Sequence, residues 1–443
     1  MRQRLRSIST IIFLVLVVYM PFHVLLATWV GSGLGVMTIA KIFKDVFAVA
    51  GLLIAAVAAG KTQLRALLKN KLTILIMAYG LLTIVLATFR STEQDAEVLG
   101  VVYNLRFFAF MIYGAIVAGW PENKNLLKKT LRFALVSGAV VAIFGIVQYL
   151  VLPNNALSHL GYSRANGTPP AFFIDEKPDL ERSMSTLKDP NSLGSYMLII
   201  IALSLAFSLR ATKNLKKRYI GILLLSLVCL WFSFSRGALI GLVATVACLL
   251  ALEPTSFEYL KKYRKKILLS LAALLCIATL SGLALRNSYL VKNVIFHADE
   301  QTVLENPNQL RVRFFKESIS RIAHNPLGSG PGTAGLTSIR NQTQGTILNE
   351  NYYLQIAEEV GWLGIIIFVA ILFTVIKKLL GLRHLPAGRA LLASLAGLLI
   401  TSLLIHTWSN ETIAYTWWGL AGLFLRTKKS LRRRNLYAFG GKS

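Results

Sequence analysis

A chain of 443 residues, 55% of them hydrophobic, has too little polar surface to cover a water-soluble core of this size. The net charge of +28 raises nucleic acid as a partner, but the Lys and Arg sit between long apolar runs and not on an aromatic-laced face. That placement argues for no nucleic acid and makes anionic lipid headgroups the natural partners of the charge.

Apolar runs of roughly 17–25 residues, enough to cross a bilayer, lie near 9–29, 34–59, 71–89, 98–119, 131–152 and 192–210. Further runs lie near 218–233, 236–253, 266–285, 352–376, 388–407 and 410–425. The first follows Arg2, Arg4 and Arg6, exceeds a signal-peptide core and has no cleavage site after it, so it reads as a span. Cys229, Cys248 and Cys276 all fall inside apolar runs and read as packing residues.

Basic segments alternate with basic-poor ones. Lys61/Arg65/Lys69/Lys71, Lys124/Lys128/Lys129/Arg132 and Arg210/Lys213/Lys216/Lys217/Arg218 are basic, whereas Gly31–Gly33 is uncharged and 91–97 is acidic. The positive-inside rule then gives an all-α polytopic membrane protein of about 12 transmembrane helices, N-in and C-in. The expected address is the bacterial cytoplasmic (inner) membrane, multi-pass, with 1–443 a single membrane domain.

Two long extracytoplasmic loops follow from that topology. Residues 153–191 carry Pro153, Pro169, Pro170, Pro178 and Pro190 and read as an irregular loop with one short helix. Residues 286–350 hold an amphipathic helix over 311–324, ended by Asn325-Pro326 and a glycine-rich turn through Gly328, Gly330 and Gly332.

Ionisable groups inside spans are costly and point to function. Lys41, Lys44, Asp45, Arg106 and Arg236 all lie in the outer halves of their spans, on the side of the long loops. Lys41 and Asp45 are spaced i,i+4, so a local ion pair also accounts for them. A cationic pocket at that depth suits phosphate or diphosphate, because the Arg fork matches phosphate oxygens. The sequence shows no P-loop, HExxH, nucleophile elbow or carboxylate cluster with metal spacing, so no metal and no cofactor is expected.

Four motifs resemble the O-antigen ligase/polymerase family of bacterial membrane glycosyltransferases. They are Asp189-Pro190-Asn191, and Ser235-Arg236-Gly237-Ala238 at the start of a span. The third is Arg311 and Phe315 followed by Asn325-Pro326-Leu327-Gly328 and Gly330-Pro331-Gly332, and the last is Asn351 with Gly361 and Gly364. The family-like region spans 190–376. Ligases that join O-antigen to lipid A core have a His before the Asn, where this chain has Glu350, which shifts weight to a polymerase or to another acceptor.

The resemblance implies transfer of a glycan from a polyprenyl-diphosphate-linked oligosaccharide donor to a hydroxyl of a glycan or lipid-glycan acceptor. It implies Arg236 and Arg311 on the diphosphate, with Arg106, Arg313 and Arg321 behind them. Asn191 and Asn351 would anchor loop backbone or sugar hydroxyls, and Gly328, Gly330 and Gly332 would form a tight loop over the headgroup. Glu350 is then either the general base, or a group that orients a sugar hydroxyl or pairs with Arg311. Competing classes are a lipid-linked glycan flippase or other transporter, and a non-catalytic assembly partner. A transporter would be expected to carry midplane ionisable groups and repeated halves, neither of which is evident here.

Overall fold

The computed structural model describes residues 1–89, 94–174, 180–253, 307–340 and 350–431, with the side chains of 307–311, 340 and 427–431 excepted. The span expected at 266–285, Cys276, and residues 286–306 and 341–349 of the second long loop lie outside the described residues.

Helices dominate what is described, and most of them coincide with the apolar runs. Helix α1 (Arg2–Tyr19) gives way to a single 3-10 turn at Met20–Phe22, and α2 (His23–Gly33) resumes the same path. Pro21 explains the break, since it has no N–H to donate and its ring clashes with the preceding turn. Helix α3 (Met37–Leu68) is likewise broken, at Gly60, where φ is 75°. The second run ends at 59 in the sequence for the same reason: basic residues past the glycine leave the apolar direction. Then come α4 (Lys71–Phe89), α5 (Gln94–Ala118) and α6 (Leu126–Leu150).

After the first long loop follow α7 (Pro190–Ser208), α8 (Lys213–Phe232) and α9 (Arg236–Leu252). The remainder is α10 (Pro307–His324), α11 (Tyr352–Leu380), α12 (Pro386–Thr401) and α13 (Glu411–Leu431). Among the described residues, seven helical segments are long and apolar enough to cross a membrane, and α9 and α12 are shorter apolar helices.

Helix α7 forms the centre. It is apolar nearly all round, Leu193 and the residues from Ser195 to Leu203 are at most 1% exposed, Gly194 is buried, and it packs against α8, α9 and α12. The peripheral helices do the opposite: α4 turns Ile74, Met77, Leu81 and Ile84 outward at helical spacing. Only an apolar solvent makes such a face stable, so the pattern is a bundle in lipid. Small residues bring helices close, as Gly194 does against Ala238, and Gly241 against Thr401 of α12.

The architecture is all-α, as expected; the detail that differs lies in the 153–191 loop, expected to be irregular with one short helix. It holds a 3-10 turn (Ala156–Leu160) and also a two-residue antiparallel pairing, β1 (Phe172–Phe173) with β2 (Glu181–Arg182). A chain folded over the mouth of a bundle still has to satisfy its backbone groups, and strand pairing does that locally. Glu181 is fixed there by Gln148 (3.3 Å) and the Asn155 N–H (3.1 Å), and burial raises its carboxyl above the usual range.

The glycine-rich turn plugs a break in α11. At Gly361 (φ 73°) the helix ladder is interrupted, which would strand the Glu358 and Glu359 carbonyls. They accept instead from Ser329 N–H (2.7 Å) and Gly330 N–H (3.0 Å), while Trp362 N–H donates to the Pro326 carbonyl (3.0 Å). Gly328, Gly330 and Gly332 therefore form a tight turn buried against α11 and α5. A Cβ at Gly361 would enter the Leu327 backbone, and its φ belongs to the region side chains avoid. Gly361→Ala is expected to destabilise the protein by about 3 kcal/mol. Thermal unfolding in detergent measures it, with Gly221→Ala, which meets nothing within 4 Å, as the unaffected control.

Candidate functional site

Four helices begin at one end of the bundle, and each is capped by a polar side chain. Asp189 accepts from Ser192 N–H (2.8 Å) at α7, and Ser235 from Ala238 N–H (3.4 Å) at α9. Asn351 accepts from Tyr353 N–H (2.9 Å) and Leu354 N–H (3.1 Å) at α11, and Asn410 from Ile413 N–H (3.3 Å) at α13. These are residue types that favour N-caps, because their short side chains reach the orphan N–H groups.

The caps are cross-linked. Asn191 Oδ1 accepts from Arg182 Nη2 (3.0 Å) and from Ser235 Oγ (3.0 Å), joining β2, α7 and α9. Arg182 Nε donates to the Ser233 carbonyl (3.1 Å). Asn410 Nδ2 donates to Ser192 Oγ (2.8 Å), whose hydroxyl donates to Asp189 (2.7 Å). Tyr352 N–H donates to the Ser402 carbonyl (2.9 Å), tying α11 to the turn after α12.

Between these caps lies a cavity of about 310 Å³ lined by Arg182, Lys188, Asp189, Asn191, Glu350 and His406 among others. Arg182 and Lys188 line it together with the carboxylates Asp189 and Glu350, and Asp189 is committed to capping α7, so an anion would be held on the side of the two cations. Glu350 is exposed to solvent at the cavity. His406 is hydrogen-bonded through Nδ1 to Gln355 Oε1 (3.0 Å). Burial, with Lys188 adding to it, lowers its pKa to about 4, so the ring is neutral near pH 7. Among the described residues, no three His, Cys, Asp or Glu side chains gather as a metal-binding group.

The residues expected from the sequence divide into those brought together here and those used elsewhere. Asn191 and Glu350 line the cavity, and Asn351 caps α11 one residue behind Glu350. Arg236 is the first residue of α9, half-buried and next to Ser235, but its side chain is not part of the cavity wall. Arg311 is in α10, and its side chain lies outside the described residues.

Three arginines are employed within the protein. Arg106 is buried, donating to the Ser409 carbonyl (2.6 Å) and Glu411 (3.3 Å), with Tyr103 beneath it at 4.0 Å. It holds the start of α13 behind the cavity. Arg321 pairs with buried Glu358 at 3.1 Å and fastens α10 to the break in α11. Arg313 makes an exposed i,i+4 pair with Glu317 at 2.9 Å, of the kind that contributes little to stability. Asp45 is held by Lys44 (3.0 Å) and by the Tyr415 hydroxyl (2.6 Å), while Lys41 donates to the Asn166 carbonyl of the first loop.

Arg182, Lys188, His406 and Asn410 escape a reading of the sequence. Lys188 had a signal, standing one residue before the Asp189-Pro190-Asn191 motif. His406 had none: hydropathy carries the run to 407, whereas the helix ends at Thr401 and leaves His406 in the connecting turn. Buried Glu359 was also missed. It accepts from Asn104 Nδ2 (2.7 Å), Gly332 N–H (3.1 Å) and Thr337 Oγ1 (3.4 Å), joining α5, α11 and the glycine turn.

Residues 221–369 match the model of a family described as O-antigen ligase. The match contributes Leu336 and Glu350 to the cavity, whereas Arg182, Lys188, Asn191 and His406 come from outside it. No curated protein matches the chain.

Proposed function

We propose, from the match of residues 221–369 to the O-antigen ligase family model, that the cavity between the four helix starts is where a glycan passes from a polyprenyl-diphosphate carrier to an acceptor hydroxyl. The observation that carries this reading is the meeting of Asn191 and Glu350, distant in sequence and both in or beside family-like motifs, on one wall with Arg182 and Lys188. The reading includes the twelve-span, N-in and C-in topology, which puts this end of the bundle at the outer face of the cytoplasmic membrane.

Arg182 and Lys188 hold the diphosphate, helped by the N-termini of α7 and α13. Glu350 accepts the proton of the acceptor hydroxyl. The acceptor oxygen then bonds to the anomeric carbon, the bond from that carbon to the diphosphate oxygen breaks, and the leaving diphosphate takes the electron pair beside the two cations. Fixed positive charge where leaving-group charge develops is worth several kcal/mol of transition-state stabilisation. His406, neutral and anchored to Gln355, lines the sugar side as a hydrogen-bonding group. Arg236 and Arg311, expected from the sequence on the diphosphate, are assigned in this reading to the more distant part of the donor.

Reconstitution into liposomes with labelled lipid-linked oligosaccharide and an unlabelled lipid-linked acceptor tests the reading. Label recovered on a longer or transferred glycan is the expected result. Leaflet exchange of the label without a new glycosidic bond overturns it in favour of a flippase.

A further inference from the structure

A second cavity, larger than the first, opens at the opposite, basic end of the bundle. It measures about 530 Å³ and lies between α4, α5, α11 and α13. Its deeper wall is apolar, with Ile76, Met111 and Leu425, and its mouth carries Lys124, Lys378 and Arg426. No carboxylate stands among its described lining residues. Lys378 is held at the mouth by a hydrogen bond to Asn70 Oδ1 (2.7 Å), and Lys124 is exposed.

An apolar slot ending in three cations matches an amphiphile with an acyl chain and an anionic head. The volume is in the range of small-molecule sites, and basic pockets between transmembrane helices on the cytoplasmic side are a recurring way to hold phospholipid phosphates. The chain's own residues 432–443 are a poor occupant, because Arg432, Arg433, Arg434 and Lys442 would meet like charge with no acid to offset it. We infer that this cavity is a binding site for one anionic phospholipid of the leaflet at the basic end, its phosphate between Lys124, Lys378 and Arg426 and its acyl chain against Ile76, Met111 and Leu425. The inference is independent of the glycan-transfer site, which lies at the other end of the helices.

Native mass spectrometry of the full-length protein, offered equal amounts of phosphatidylglycerol and phosphatidylethanolamine with identical chains, tests it. Preferential retention of phosphatidylglycerol is expected. The double substitution Lys124→Gln with Arg426→Gln should weaken that retention about tenfold to thirtyfold. Ala115→Trp, filling the slot from α5, should remove binding of both lipids; if that variant does not insert, the charge variant decides. Lys216→Gln with Lys217→Gln, at the same end of the bundle but on α8, should change nothing. Equal retention of the two lipids overturns the site. So does an equal loss in the α8 control, which would mean diffuse surface charge, or binding of glycerol phosphate as strong as that of the lipid.

Discussion

Glu350→Gln is expected to lower the turnover number for glycan transfer by about a hundredfold to ten-thousandfold, the range for loss of a general base. The side chain is exposed and Gln keeps its shape, so the variant should insert and unfold like the parent. The Michaelis constant for the donor should hardly move, because the role proposed for Glu350 is on the acceptor hydroxyl and not on the diphosphate. Steady-state rates over a range of donor concentrations are the measurement. Turnover within threefold of the parent would remove Glu350 from the chemistry and leave Asp189 and His406 as the groups on that wall able to accept a proton. His406→Asn, assayed in parallel, separates Glu350 from His406: if Glu350 is the base, that variant shifts substrate affinity more than turnover.

Arg182→Ala is expected to reduce kcat/KM for the lipid-linked donor about a hundredfold to a thousandfold, as removal of a fixed charge from a leaving-group site does. Arg182 also holds Asn191 and the Ser233 carbonyl, so a structural cost accompanies the loss. Asn191→Ala resolves the two effects. It breaks the same side-chain link and leaves the guanidinium in place, so its thermal stability should fall about as far while its activity falls much less. Arg182→Lys should recover only part of the rate, since a point charge cannot make both hydrogen bonds and grip a diphosphate together. Equal activity losses in Arg182→Ala and Asn191→Ala would assign Arg182 a scaffolding role alone.

Much of the bundle was legible because a membrane span is a one-dimensional signal. About twenty apolar residues between basic ends need no knowledge of distant contacts, and most of the described helices fall on such runs. The breaks were legible only in part. The 9–29 run passes through Pro21 unmarked and the 34–59 run stops just short of Gly60, while Gly361 stands in a motif whose structural reason shows only when the turn at Pro326–Gly332 is found docked against it.

Charged residues were the least legible. In lipid every buried charge needs a partner, and a sequence does not say whether that partner is a substrate or another helix. Arg106 looked like a donor contact for the same reason it is found holding Glu411: both uses require a cation at the same depth.

The sequence by itself determined that this chain is a helical membrane protein with its unusual polar groups gathered toward one end, and the motifs pointed to glycan transfer. Tertiary structure decided which of those groups share a cavity. Arg182, Lys188 and His406 belong to loops whose positions are set by caps and hydrogen bonds from α7, α9, α11 and α13, contacts spanning up to 218 residues of chain. Local propensity carries no record of such contacts, because each cap is satisfied first by its own helix and only then by its neighbour across the mouth of the bundle.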